Sequence, residues 1–104
     1  MFKKLFLLAC MPLLLLACDS KPQYQALPKH ANVLILGDSL TYGSGAAESE
    51  DYPTLLANNT GWNVINAGVP GNKSADGLAR LPDLLADHHN GEQKVDLLLI
   101  ELGG

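Results

Sequence analysis

Four apolar residues, Val33-Leu34-Ile35-Leu36, stop abruptly at Gly37-Asp38-Ser39-Leu40, and small residues follow through Gly43-Ser44-Gly45. An apolar run of this length without polar alternation fits a strand buried on both faces, as in parallel sheets covered by helices. Gly37 permits a tight turn directly after such a strand. Ser39 is thereby delivered to the strand's carboxyl end, where ligands gather in open α/β sheets. A serine there has two readings. It is a nucleophile beside free backbone amides suited to an oxyanion, or it merely caps the next helix.

The rest of the pattern supports a layered α/β fold. Tyr52-Pro53-Thr54-Leu55-Leu56-Ala57 opens a helix that ends near Asn59-Thr60-Gly61, with Pro53 where a first turn tolerates it. Trp62–Asn66 reads as a second strand closed by Ala67-Gly68. Ser74 is placed to cap a helix whose apolar positions Leu78, Leu81, Leu84 and Leu85 recur at three- and four-residue spacing. Pro82 is expected to kink or restart it, and Asn90-Gly91 to end it. Val95–Ile100 reads as a third strand. The order β-α-β-α-β with apolar strands predicts parallel pairing and right-handed crossovers.

The amino-terminal end has a different character. Lys3 and Lys4 precede an apolar run from Leu5 to Ala17, interrupted only at Cys10 and Pro12. Thirteen helical residues reach about 20 Å, short of the roughly 30 Å hydrocarbon core of a bilayer. Residues 1–17 therefore read as a secretory signal peptide. Leu15-Leu16-Ala17-Cys18 resembles the lipobox of bacterial lipoproteins, in which the chain is cut before the cysteine and that cysteine is acylated. The similar Leu7-Leu8-Ala9-Cys10 leaves too short an apolar core before it. Cys18 is thus the expected lipidation site, and the cell envelope, on the periplasmic side or at the outer membrane, the expected location.

Cleavage there removes Cys10 and modifies Cys18, so no disulfide is expected and core packing alone holds the fold. The remaining 87 residues carry five basic and eleven acidic side chains, enough for one small domain. An acidic balance without a Lys/Arg cluster excludes nucleic acid and electrostatic docking on anionic lipid as modes of partnership. Residues 18–31, rich in Lys, Pro, Gln and Ser, read as a lipidated cysteine followed by a flexible tether, and 32–104 as the domain.

Several motifs are ruled out by their letters. The Gly-x-Ser-x-Gly elbow requires a glycine where Thr41 stands. Gly43-Ser44-Gly45 lacks the third glycine of a dinucleotide fingerprint, and no phosphate-binding Gly-Lys-Ser/Thr occurs. His30 lies in the tether, and the adjacent His88 and His89 point to different helix faces, so all three read as solvated and metal binding has little support. Two further constellations follow strands. Asn66-Ala67-Gly68-Val69-Pro70-Gly71-Asn72-Lys73-Ser74 places Gly71 where its amide can meet a ligand without an intervening side chain, or simply forms a turn. Glu101-Leu102-Gly103-Gly104 ends the third strand. Three loops on one rim is the layout of a site.

From Val33 to Gly104 the chain resembles the SGNH, or GDSL, hydrolase family, nearest its bacterial thioesterase/lysophospholipase and arylesterase branch. The likeness rests on Ile-Leu-Gly-Asp-Ser-Leu at 35–40, Tyr-Pro-Thr-Leu-Leu at 52–56, Gly-Leu-Ala-Arg-Leu-Pro at 77–82 and Glu-Leu-Gly-Gly at 101–104. It implies a three-layer flavodoxin-like parallel sheet, of which this chain holds the amino-terminal β-α-β-α-β part, with Val95–Ile100 left as a sheet edge. It further implies a serine esterase that acts through an acyl-serine on small acyl esters or thioesters, without metal or cofactor. Ser39 matches the nucleophile and an oxyanion amide, Gly71 a second oxyanion amide, and Gly37 and Asp38 support the turn. The family's asparagine donor would follow Gly104, and no Asp-x-x-His occurs in this chain. Asn72-Lys73 departs from the acidic-then-hydroxyl pair common after this glycine. The expected state is therefore an incomplete hydrolase with little activity alone. The alternatives are a non-catalytic envelope lipoprotein or a non-functional truncated product. The sequence does not fix an oligomeric state.

Overall fold

The computed structural model describes residues 21–103; the proposed signal peptide, Cys18 and Gly104 lie outside them. Strand β1 (Asn32–Gly37) leads into a single-turn helix α1 (Ser39–Tyr42) and then helix α2 (Tyr52–Thr60). Strand β2 (Asn63–Gly68), helix α3 (Ser74–His88) and strand β3 (Leu97–Glu101) complete the order. All pairing is parallel, in the spatial order β2-β1-β3. The chain thus steps to one side of β1 for its second strand and crosses to the other side for its third. That reversal makes the carboxyl end of β1 a topological switch point, where open α/β sheets leave a crevice.

The apolar run predicted to be buried on both faces is the central strand. Val33, Leu34, Ile35 and Leu36 are all at most 2% exposed. Successive side chains point to opposite faces, and each face has its own cover. Val33 and Ile35 form a cluster with Ala31, and Leu27, Leu56, Trp62, Val64, Leu97 and Leu99 pack against it. On the other face Gly77 of α3 sits against Leu36 and Leu102. Helices therefore flank the sheet on both sides, and the three-layer α/β reading holds. The ordered fold also takes in Leu27 and Ala31, residues that the sequence reading gave to the tether.

Local chemistry explains the element ends. Asp51 caps α2 by accepting from the Thr54 amide at 3.0 Å, Pro53 occupies the first turn, and Gly61 ends the helix at φ +76°. The second strand extends to Gly68, beyond the expected Asn66, because Ala67 and Gly68 pair with Leu36 and Gly37. The third starts at Leu97, two residues later than expected. Asp96 is occupied instead in closing the sheet's amino-terminal end, where its amide donates to the Asn32 carbonyl and its carboxylate accepts from the Asn32 amide.

Helix α3 departs from expectation in three ways. Ser74 lies inside it, and the capping position falls to Lys73, whose amide donates to the Asp76 carboxylate at 2.8 Å. Pro82 lies inside one continuous helix and does not restart it. Proline removes the N–H that would bond the Leu78 carbonyl, and Leu78 itself is exposed. Leu78 is consequently not a core position, and the helix approaches the sheet through Gly77 instead. β3 forms the edge predicted for it, with Leu97, Leu98 and Leu99 half-buried and Ile100 exposed.

Candidate active site

Ser39 is the first residue of α1, two positions beyond the end of the buried central strand, and is half-buried. Asp38 precedes it and turns its carboxylate back to accept from the Leu40 amide at 3.0 Å. The capping role considered for Ser39 thus belongs to Asp38. The Ser39 amide itself, at a helix start, has no acceptor among the described residues.

Gly71 reaches the same rim from β2. Val69, Pro70, Gly71 and Asn72 form a β-turn closed by the Asn72 amide donating to the Val69 carbonyl at 3.2 Å. Proline at the second position and glycine at φ +81° at the third are the signature of a type II turn. The Gly71 amide lies in the middle of that turn, outside its hydrogen bond, and a side chain built on Gly71 would meet only open space. Gly37 pairs directly with Gly68 across neighbouring parallel strands, which lie about 4.8 Å apart. The ladder's last bond runs from the Val69 amide to the Gly37 carbonyl at 3.1 Å. Ser39 and Gly71 therefore leave adjacent strand ends together.

Beneath this rim the structure gathers residues that spacing did not single out as a group. Thr41 is fully buried; its hydroxyl lies 3.0 Å from Glu101, to which it can donate, and 2.6 Å from the Tyr52 hydroxyl, a bond in which either oxygen can be the donor. One short chain of hydrogen bonds thus joins α1, the start of α2 and the end of β3. Burial pushes the Tyr52 phenol above its ordinary pKa, the charges of Glu101 and Asp38 add to the rise, and the bond to Thr41 opposes it. Asn66 contributes from β2, donating to the Thr41 carbonyl at 2.8 Å and accepting from the Gly68 amide at 2.9 Å. The close approach of Gly37 and Gly68 to Thr41 sets how near α1 lies to the strands. Glu101, named in the sequence only as a strand-end residue, is thus a support of α1.

The histidines lie elsewhere. The His89 ring accepts from the Val95 amide at 3.0 Å, beside the Asp96–Asn32 closure at the amino-terminal end of the sheet. His30 is exposed and contacts the Gly61 carbonyl at 3.4 Å, near the same end. With β1 six residues long, that end lies about 17 Å from Gly37 at about 3.3 Å per step. His88 closes α3 and is half-buried. None of these rings is placed to take a proton from Ser39. Among the described residues no group of three or more His, Cys, Asp or Glu could hold a metal ion.

Residues 35–104 match the model of the GDSL-like Lipase/Acylhydrolase family. The chain is 36% identical over 107 residues to Esterase TesA of Pseudomonas aeruginosa, a match covering 98% of this chain and 47% of the esterase. It is 43% identical over 76 residues to thioesterase 1/protease 1/lysophospholipase L1 of Escherichia coli K12, covering 69% of this chain and 33% of that protein. An arylesterase of Vibrio mimicus is 40% identical over 76 residues, with coverages of 68% and 36%. The chain spans about half the length, or less, of these curated relatives. Among solved structures it superposes on AlinE4, an SGNH-hydrolase family esterase, with a TM-score of 0.61 and 36% identity over 76% of this chain and 43% of that one.

Proposed function

The chain belongs to the GDSL-like lipase/acylhydrolase family, and from that premise we propose that it carries the nucleophile and part of the oxyanion site of a serine ester or thioester hydrolase. The observation that supports this most directly is the pairing of two free amides, those of Ser39 and Gly71, at neighbouring strand ends on the switch-point rim.

The Ser39 hydroxyl oxygen attacks the acyl carbon, and the carbonyl oxygen takes up the negative charge. Amides aimed at the developing charge stabilise it without reorganising, a contribution of about 10²–10³ in rate per donor. Collapse of the tetrahedral species expels the alcohol or thiol, which takes a proton, and leaves an acyl-serine that water then hydrolyses. Asp38 and Gly37 shape the turn that presents the hydroxyl.

A serine is a weak nucleophile until a base removes its proton. Among the described residues His30 and His89 lie at the opposite end of the sheet and do not serve as that base. Loss of the base costs on the order of 10⁶ in turnover in the subtilisin series, so this chain by itself acylates slowly and turns over less. Lysophospholipids, acyl thioesters, aryl esters and acetylated cell-envelope glycans all suit such a site.

The test is to hold the chain with p-nitrophenyl butyrate and locate butyryl groups by peptide mass spectrometry. Ser39 is expected to be acylated ahead of Ser44, Ser49 and Ser74, and Ser39→Ala to lose that product. Equal labelling of all serines would refute the site. The envelope location is a proposal of the same kind and rests on the Leu-Leu-Ala-Cys motif ending at Cys18. Acyl chains there would hold the protein to a membrane through about 0.8 kcal/mol per buried methylene. Cys18→Ser is expected to move the expressed protein from the membrane fraction to the soluble fraction; persistence in membranes would count against lipidation.

A further inference from the structure

The guanidinium of Arg80 holds three acceptors at once. Its Nε donates to Asn72 Oδ1 at 2.8 Å, and its Nη2 donates to the Ala67 carbonyl at 3.1 Å and, more weakly, to the Gly37 carbonyl at 3.4 Å. Asn72 is the last residue of the turn that carries Gly71. Ala67 and Gly37 lie at the ends of β2 and β1. We propose that Arg80 is a positioning residue for the Gly71 amide, clamping the far end of the turn to both strand ends so that the amide is held in place. This rests on the reading of Gly71 as an oxyanion donor.

Two features favour this over simple stitching of the strands. The shortest of the three bonds goes to the turn and not to the sheet. Arg80 also follows Gly77 by three positions, on the same helix face. Gly77 is buried, and a side chain there would strike Leu102, so its absence lets α3 lie close enough for the guanidinium to reach the strand ends. A planar fork can serve acceptors in two directions at fixed geometry, whereas a lysine ammonium is a single point on a flexible stem. All three acceptors are uncharged, so the arginine is held for its shape.

The experiment uses the whole chain as wild type, Arg80→Met, Arg80→Lys, Asn72→Ala and the Arg80→Met/Asn72→Ala double variant. Two readouts are taken: the rate of Ser39 butyrylation against p-nitrophenyl butyrate concentration, and the amide resonances of Gly71, Asn72, Thr54 and Ala57. A displaced catalytic donor of this kind costs on the order of tenfold or more. Arg80→Met and Asn72→Ala are each expected to slow maximal acylation about tenfold, with the half-saturating concentration within twofold. The double variant should be no slower than either single one, and Arg80→Lys should not restore the rate. The Gly71 and Asn72 resonances should shift while Thr54 and Ala57 hold.

Recovery with lysine, additive losses, or an unshifted Gly71 resonance in Asn72→Ala would each overturn the proposal. Asn72→Ala removes the acceptor from an exposed turn, so it remains informative if Arg80→Met fails to fold. Wild-type protein that shows no preference for Ser39 would sink the hydrolase reading alone. The Gly71 resonance would then still decide whether Arg80 sets the turn.

Discussion

Gly68 is the position at which one added methyl group should cost most. A side chain on it would lie 2.7 Å from the Thr41 carbonyl carbon and 2.9 Å from Thr41 Cβ, and closer still to the Tyr42 amide nitrogen. Ordinary contact begins near 3.4 Å, and the nearest atom, the Tyr42 nitrogen, sets the displacement, so α1 would have to retreat by about 1 Å. It has little freedom to do so. Asn66 holds its Thr41 carbonyl, and Glu101 and Tyr52 hold the Thr41 hydroxyl. Forcing volume into a packed site costs about 1–3 kcal/mol, which for a domain of this size lowers Tm by about 4–8 °C per kcal/mol. Gly68→Ala is therefore expected to lose roughly 5–20 °C, read by circular dichroism on heating. Ser39 sits on the displaced helix, and a shift approaching 1 Å at a reacting group can slow chemistry up to about a hundredfold. Its butyrylation should fall accordingly. The control is Gly91→Ala, whose side chain would meet nothing within 4 Å; it should change stability by no more than about 0.5 kcal/mol. Equal melting of the two variants would refute the claim that α1 is wedged against β2.

Two further perturbations probe the supports on either side. Thr41→Val keeps the shape but strips two hydrogen bonds, one of them to a carboxylate, and should cost about 1–3 kcal/mol because Tyr52 and Glu101 can partly turn to water. It also removes the interaction that opposes the rise in the Tyr52 pKa. The phenolate absorbance of Tyr52 near 295 nm should then emerge at still higher pH, and an unmoved titration would contradict the hydrogen-bonded chain. Asp51 is held below the ordinary carboxylate pKa by the Thr54 amide first and the Thr54 hydroxyl second. A carboxylate depressed in the fold contributes stability at pH above its unfolded value, near 3.9, and loses it as pH falls through its folded value. Asp51→Asn should therefore flatten the decline in stability below about pH 4, and an acid unfolding profile identical to wild type would exclude this contribution.

Much of the framework could be read from the chain because the relevant forces are local. The continuous apolar run 33–36, Pro53 in a first helical turn, Gly61 after a helix and Val69-Pro70-Gly71 each restrict the backbone within a few residues of themselves. The strands and helices, and the placing of Ser39 and Gly71 after strand ends, follow from these. The errors arose where a distant partner decided. Ala67 and Gly68 look like a loop alone but become strand because Leu36 and Gly37 offer them a ladder. Leu78 looks like a core position by spacing, yet Gly77 faces the sheet because Leu102 fills the space there. Ser74 is a local exception: it looks like a cap, but the Asp76 carboxylate, within the same first turn, reaches the Lys73 amide.

Sequence alone determined that parallel strands would alternate with helices and that a serine and a glycine amide would stand at two strand ends. The tertiary structure decided that those strands are neighbours, in the order β2-β1-β3. It also decided that Thr41, Tyr52 and Glu101 form one chain of hydrogen bonds, and that Arg80 reaches three acceptors from the next helix. The reason is one of range. Backbone preferences and turn geometry act over a few residues, whereas strand order and side-chain bonds between residues tens of positions apart exist only once packing has brought them together.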